Sequence, residues 1–262
     1  MTKIAIVGAG GRMGRRIAAL ALGDERFELV SALETAGHEA MGTDVGLLCG
    51  AGACGVAVSE ALQDDPDCLI DFSTPEGTLK WVGEAAGRRL AAVIGTTGLT
   101  ESQLAAVADA GGRIAIVHAP NFSIGVNLLF RLAGEVARTL GADYDVEIAE
   151  MHHRFKKDAP SGTALGLARS VCEATGRDPA EALVHGRGGR SPRRVGEIGM
   201  HAVRLGDTVG EHRVYFGNLG ETVMLGHSAH TRETFARGAL RAAEWAAGRD
   251  PGLYTMQDVL FG

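Results

Sequence analysis

Residues 150–163 read Glu-Met-His-His-Arg-Phe-Lys-Lys-Asp-Ala-Pro-Ser-Gly-Thr. Imidazoles change charge near neutral pH, and His152 and His153 stand beside Arg154, Lys156 and Lys157. A proton carrier inside a cluster of cations suits proton transfer onto an anionic substrate. On an extended strand two adjacent side chains point to opposite sides, so the two histidines are expected to have different surroundings. Ser161-Gly162-Thr163 follows Pro160 and reads as a helix start, whose free N–H groups and hydroxyls form an anion site suited to a carboxylate. Asp158 reads as a cap or an ion-pair partner without a chemical role. Zinc is the rival reading of the histidines, but it needs a third ligand and would sit among three cations, so no metal is expected.

A second signal stands at the start of the chain. The apolar run Lys3–Val7 leads into Gly8-Ala9-Gly10-Gly11-Arg12-Met13-Gly14, and an amphipathic helix follows to about Leu22. Such a turn aims backbone N–H groups and a helix N-terminus at a pyrophosphate. Glu34 ends the next apolar run, where a ribose-binding acid belongs. Thr35 follows it, not a cation, so a 2′-phosphate would meet an unopposed carboxylate. NADH is therefore expected to be favoured over NADPH. Gly95-Thr96-Thr97 and Ala119-Pro120-Asn121-Phe122 each follow a short apolar run, and in a parallel sheet such loops border a bound ligand. Electron source and proton source together point to a reductase and not a hydrolase.

These segments need a scaffold. Strands are expected near 3–7, 27–33, 56–58, 68–72, 91–94 and 113–117, alternating with helices. That alternation predicts an α/β fold with a Rossmann-type, doubly wound parallel sheet. Thr74-Pro75-Glu76 and the Thr100/Gln103 pair are helix-start signals. Residues 42–55 read as Gly-rich and irregular. Beyond residue 123 the pattern changes: a helix over 124–140, a strand over 144–151, a helix from about Ser161 to Thr175, and strands over 197–205, 210–217 and 221–228. This reads as an inserted α+β substrate-binding and oligomerisation domain over 124–232, with 1–123 plus 233–262 forming the dinucleotide-binding domain. The late strands carry apolar residues on both faces, among them Ile198, Met200, Val203 and Leu205. A buried intramolecular sheet and a subunit interface both fit that pattern.

Composition narrows the classes. The 262 residues are 45% apolar with a formal net charge of −6, which supports a sizeable core and argues against a nucleic-acid or anionic-membrane surface. Four cysteines without CxxC spacing read as reduced core residues of a cytoplasmic protein. No apolar run approaches a membrane span. The loop 187–194 carries Arg187, Arg190, Arg193 and Arg194 among glycines. Two readings stay open for it, a mobile solvated loop or a lure for a dicarboxylate. His118, just past the sixth strand, is equally a structural histidine or a cofactor neighbour.

GAGGRMG, GTTG, APNFSIGVN, the E-x-HHRxKxDAPSGTA stretch and GDTVGEH, in this order, resemble the 4-hydroxy-tetrahydrodipicolinate reductase (dihydrodipicolinate reductase) family over nearly the whole chain. The resemblance implies NAD(P)H-dependent reduction of a cyclic imine dicarboxylate to tetrahydrodipicolinate in lysine and diaminopimelate biosynthesis, by a homotetramer joined through its C-terminal sheets. It implies His152 as catalytic acid/base and Lys156 as proton donor. It assigns His153, Ser161, Gly162 and Thr163 to the substrate carboxylates. Gly8, Ala9, Gly10, Gly11, Arg12, Met13, Glu34, Gly95, Thr96, Thr97, Ala119, Pro120, Asn121 and Phe122 become cofactor contacts. Many members carry Arg after the ribose acid, where Thr35 stands here, and a small residue where Pro120 stands. The alternatives are another two-domain NAD-linked dehydrogenase or a non-catalytic NAD-binding module. A semialdehyde dehydrogenase would want a nucleophilic cysteine near residues 119–163, and none is there.

Overall fold

The computed structural model describes residues 1–262, which divide into two compact units, Met1–Ile124 with Arg232–Gly262, and Gly125–Thr231. The first unit opens with β1 (Thr2–Val7), α1 (Arg12–Leu22), β2 (Phe27–Leu33), α2 (Val45–Cys49), β3 (Val58–Ser59) and β4 (Cys68–Asp71). It continues with α3 (Pro75–Arg88), β5 (Ala91–Ile94), α4 (Glu101–Gly111) and β6 (Ala115–His118). The second unit holds most of α5 (Ile124–Leu140), then β7 (Asp145–His152), α6 (Gly162–Thr175), α7 (Pro179–Ala182) and β8 (Leu183–His185). It ends with β9 (Ile198–Arg204), β10 (Gly210–Asn218) and β11 (Glu221–Ala229). The chain then returns to the first unit as α8 (Glu233–Ala246), β12 (Gly252–Tyr254) and α9 (Met256–Phe261).

The first unit is the expected doubly wound sheet, seven parallel strands in the order β12-β6-β5-β4-β1-β2-β3. Its central strands are apolar on both faces because both are covered. Ile4 and Ile6 face one core with α1 and α8, while Ala5 and Val7 face the other with α3 and α4. The helix starts follow their signals. Thr74 accepts from the Gly77 N–H with Pro75 in the first turn, and Thr100 and Gln103 close a reciprocal cap.

Three features differ from expectation. Residues 42–55 are irregular apart from one short helix: Asp44 caps α2, then accepts again from the N–H groups of Cys54 and Gly55. Residues 56–57 do not extend β3 along β2. Val56 O accepts from the Val45 N–H and Ala57 bridges Asp44, so this stretch folds back on its own loop. The elements α7, β8, β12 and α9 were not anticipated at all, because three to six residues are too short to show a period.

Partial burial pushes the Asp44 carboxyl up, but the N–H groups of Cys54, Gly55 and Leu47 outweigh it and hold the group at about 2. A carboxyl depressed in the folded state stabilises above its unfolded value and loses that contribution as pH falls through its folded value. Asp44→Asn is therefore expected to lower Tm at neutral pH, with the deficit shrinking as pH falls from about 4 towards 2. Thermal melts of both proteins across that range check it; a deficit independent of pH would show that charge is not what Asp44 contributes.

The second unit is a five-stranded mixed sheet, β11-β10-β7-β9-β8, with α5 and α6 on one face. Val146 and Ile148 on β7, Ile198 and Met200 on β9, and Val214 and Phe216 on β10 pack against Leu129 and Ala133 of α5 and Leu167 and Val171 of α6. The opposite face stays open, with Val203 at 42% and Met224 at 57% exposure.

Candidate active site

In the first unit the strands run parallel, so the carboxyl ends of β1, β4, β5 and β6 lie along one edge, and all the expected cofactor residues sit in or beside the loops there. The N–H groups of Gly8 and Ala9 both donate to Leu33 O, which pins the loop to the end of β2. Gly8 has φ +75°, which favours glycine, and the Gly11 N–H closes a turn onto Gly8 O at 3.0 Å. Gly11 starts α1 without a side-chain cap, and no acid stands in the first turn. A helix start with no side-chain cap and no acid in its own first turn fits a pyrophosphate. Arg12 is exposed beside that start, and Met13 is partly buried against the core.

Glu34 sits over the same loop, and its Oε1 accepts from the Gly10 N–H at 2.9 Å. The His38 ring packs on Gly10 so closely that a Cβ there would meet Cε1 at 2.4 Å. Sequence reasoning missed this imidazole, since nothing in its neighbours announces a contact with residue 10. Thr97 is exposed, whereas Thr96 is buried and gives its hydroxyl to Asp71 Oδ2 at 3.2 Å, which leaves its backbone to face a ligand. Asp71 is fully buried and also takes the Ser73 and Thr78 hydroxyls; burial pushes its carboxyl up. A Cβ at Gly95 would enter the Phe72 ring, which lies 5.7 Å from the Phe122 ring. Ala119 is buried with its N–H on Ile94 O, Pro120 is exposed, and Asn121 Oδ1 accepts from the Ser123 N–H. His118 ends β6 half-buried, and burial lowers its pKa.

In the second unit His152 is the last residue of β7. Strand alternation puts it on the same face as Glu150, and its Nδ1 lies 2.6 Å from Glu150 Oε2. Glu150 is 2% exposed. Arg204, opposite His152 on β9, forks onto both its oxygens at 2.9 Å, and the Ser161 N–H adds a fourth contact at 3.0 Å. Burial pushes the Glu150 carboxyl up, but Arg204, His152 and Ser161 outweigh it and hold it below the usual range. Burial likewise lowers the His152 pKa, while Glu150 works to raise it. His212, opposite Glu150 on β10, meets the His152 ring edge-on at 5.1 Å. Burial and the neighbouring His152 push His212 down to about 3. Lys156 is held 2.9 Å from Asp158 Oδ1, so Asp158 is an ion-pair partner. His153 lies past the strand end, with Nδ1 buried and its ring 6.2 Å from that of Phe155.

Two segments are held by contacts that the sequence did not show. Ser161 caps α6: the buried Oγ accepts from the Ala164 N–H and contacts His212 Nε2 at 3.2 Å, and its own N–H goes to Glu150. The arginine loop is not a loose segment. Arg187 and Arg193 both pair with Glu147, and Arg187 reaches Glu197, which is 4% exposed. Glu150, Arg204 and His212 were not singled out from sequence. The signal for Glu150 was available in its i,i+2 spacing from His152 on a strand, and His212 lies in the GDTVGEH stretch.

No group of three or more His, Cys, Asp or Glu is placed to hold a metal ion, and no helix is long and apolar enough to cross a membrane. A glycine loop with a ribose-type acid on a doubly wound sheet, followed by an α+β unit with a carboxylate-held imidazole, is the build of a two-domain NAD(P)H-dependent oxidoreductase. Comparison with known proteins gives the family. Residues 2–122 match the N-terminal and residues 125–260 the C-terminal domain model of dihydrodipicolinate reductase, and the chain belongs to that family. A 4-hydroxy-tetrahydrodipicolinate reductase from Rubrobacter xylanophilus is 50% identical over 260 residues, covering 99% of this chain and 98% of its own. Another from Geobacter metallireducens is 50% identical over 264 residues, covering 99% of each. A solved structure described as a dipicolinate-bound dihydrodipicolinate reductase from Paenisporosarcina sp. TG-14 superposes with a TM-score of 0.77 at 27% identity, covering 98% of each chain. An amine dehydrogenase from Mycobacterium smegmatis, 13% identical with a TM-score of 0.59 and covering 97% of this chain and 95% of its own, shares the fold.

Proposed function

We propose that the chain reduces 4-hydroxy-tetrahydrodipicolinate to tetrahydrodipicolinate with a nicotinamide dinucleotide, as a cytoplasmic step of lysine and diaminopimelate biosynthesis. The observation that carries this reading is the buried His152 imidazole, held at Nδ1 by Glu150, in a chain of this family. The cofactor, when bound, supplies a hydride. Gly8 to Met13 hold its pyrophosphate, Glu34 its ribose, and Gly95 to Thr97 with Ala119 to Phe122 the nicotinamide end. Loss of the 4-hydroxyl as water opens a conjugated C=C–C=N system, and hydride addition to that system leaves negative charge on the ring, which a proton donor must quench.

His152 and Lys156 handle that proton. The lowered pKa of His152 favours neutral imidazole in the free protein. Two incoming carboxylates favour its protonated form, so substrate binding itself charges the acid. His153 and the Ser161-Gly162-Thr163 turn hold the dicarboxylate.

Glu34 followed by Thr35 supports NADH as the preferred reductant. The open sheet face with Val203, Leu205 and Met224 supports a homotetramer built through it. The test is oxidation of reduced nicotinamide, followed by absorbance, with the substrate generated in place by dihydrodipicolinate synthase. We expect turnover with kcat/KM higher for NADH than for NADPH; a protein that binds NADH but turns nothing over would remove the proposal, and a clear NADPH advantage would remove the cofactor preference. Light scattering on the same sample is expected to give four times 27.3 kDa; a monomer would remove the tetramer.

A further inference from the structure

Glu150 spends all four of its contacts inside the protein. Oε1 takes the Ser161 N–H and Arg204 Nη2, while Oε2 takes Arg204 Nη1 and His152 Nδ1. Three strands supply this arrangement, since Arg204 stands opposite His152 on β9 and His212 opposite Glu150 on β10. Arg204 Nη2 also donates to Asp158 O at 2.5 Å, tying the segment that carries Lys156 to the same point. A carboxylate gripped by a guanidinium fork and a backbone N–H stays ionised, and an ionised carboxylate only accepts. The atom facing it must therefore be a donor, and that atom is His152 Nδ1.

We propose that Glu150, locked by Arg204, is a positioning residue that holds His152 in the Nδ1–H tautomer and seats Ser161 at the head of the 161–163 turn. This rests on the proton-transfer role given to His152. The neutral imidazole then keeps its lone pair on Nε2. That nitrogen takes up one proton to become imidazolium and gives the same proton to the reduced ring, while Nδ1–H stays on Glu150 throughout. The groups facing His152 are Glu150 on its own strand, Arg204 on β9, His212 on β10 and Lys156 on the following segment. Glu150 is the anion among them, so its charge favours the imidazolium against Arg204 and Lys156. The same carboxylate thus links the proton donor to the start of the anion-binding helix, which explains why a fully internal acid lies beside the site.

Glu150→Gln keeps the shape and removes the charge. A carboxamide facing Nδ1 also presents N–H donors, which invites the opposite tautomer. We expect kcat to fall by about 10- to 100-fold. The limb where kcat/KM falls with rising pH should move to lower pH by about one unit. NADH binding, read by fluorescence, should stay unchanged. A purely structural role would lower Tm and the active fraction without moving that limb. A full-length protein labelled with 15N-histidine tests the claim without any substitution, the His152 signals being assigned by their loss in His152→Gln. Neutral His152 with its proton on Nδ1 is expected, and a proton on Nε2 overturns the proposal even if Glu150→Gln does not fold. An unmoved pH limb with near-parental kcat in a folded Glu150→Gln overturns it as well, while leaving the proton-transfer role of His152 standing. If His152→Gln itself leaves kcat intact, both readings fall together.

Discussion

We expect His152→Gln to lower kcat by about 10³-fold, within the range a positioned acid or base contributes. Glutamine can still meet Glu150 through its amide N–H₂, so the buried carboxylate keeps a partner and the strand end keeps its packing. What it loses is a group able to exchange a proton near neutral pH. NADH binding is expected to stay within about twofold of the parent, because the dinucleotide contacts proposed here lie in the other compact unit. Lys156→Ala provides the contrast. It removes a cation and a proton donor together, so kcat and the substrate KM should both suffer, whereas His152→Gln should act mainly on kcat. Steady-state kinetics at saturating NADH separate the two patterns. A His152→Gln enzyme with parental kcat would sink the acid/base assignment, and a rise in KM alone would turn His152 into a carboxylate binder.

The centre of the parallel sheet was legible because its strands are covered on both faces and so appear as unbroken apolar runs closed by Gly or capping residues. Thr74-Pro75 and the Thr100/Gln103 pair act within one helical turn, and local signals of that kind survive in sequence. The missed elements fail for the same reason in reverse. Helix α2 exists because Asp44 reaches Cys54 and Gly55 about ten residues on, and β12 exists because it pairs with β6 across the fold. Neither partner can be read from five or three residues.

The site divides in the same way. His152, Lys156 and the Ser-Gly-Thr turn were visible as residue types in one stretch. The arrangement that orders them was not, since Arg204 lies 54 positions from Glu150 and His212 lies 51 from Ser161. The cap signal at Ser161 placed the helix start correctly, because it acts within one turn. The arginine loop misled through its glycines. Glu147 on β7 and the buried Glu197 decide that Arg187 and Arg193 are held, and no local pattern connects those four residues.

Gly14→Ala should damage both the stability of the first unit and its hold on the dinucleotide. A Cβ on residue 14 would stand 2.1 Å from Gly8 O and 2.7 Å from Ala9 Cα. Both are backbone atoms, so no side-chain rotation relieves the contact. Gly8 cannot swing away cheaply, because its N–H is bonded to Leu33 O and its carbonyl accepts from Gly11. Helix α1 must then retreat from the loop, and the amides aimed at a pyrophosphate retreat with it. Overpacking of this kind costs about 1–3 kcal/mol. In a chain of this size that lowers Tm by roughly 2–10 °C, and an equal loss at the cofactor weakens NADH binding by about 10- to 100-fold. Gly83→Ala is the control. Residue 83 lies within α3 with nothing within 4 Å of an added Cβ, so the change should stabilise by about 0.5–1 kcal/mol and leave NADH affinity alone. Differential scanning calorimetry with NADH titration reads both quantities for both variants. A loss of stability without a loss of affinity would confine Gly14 to packing α1 on the sheet.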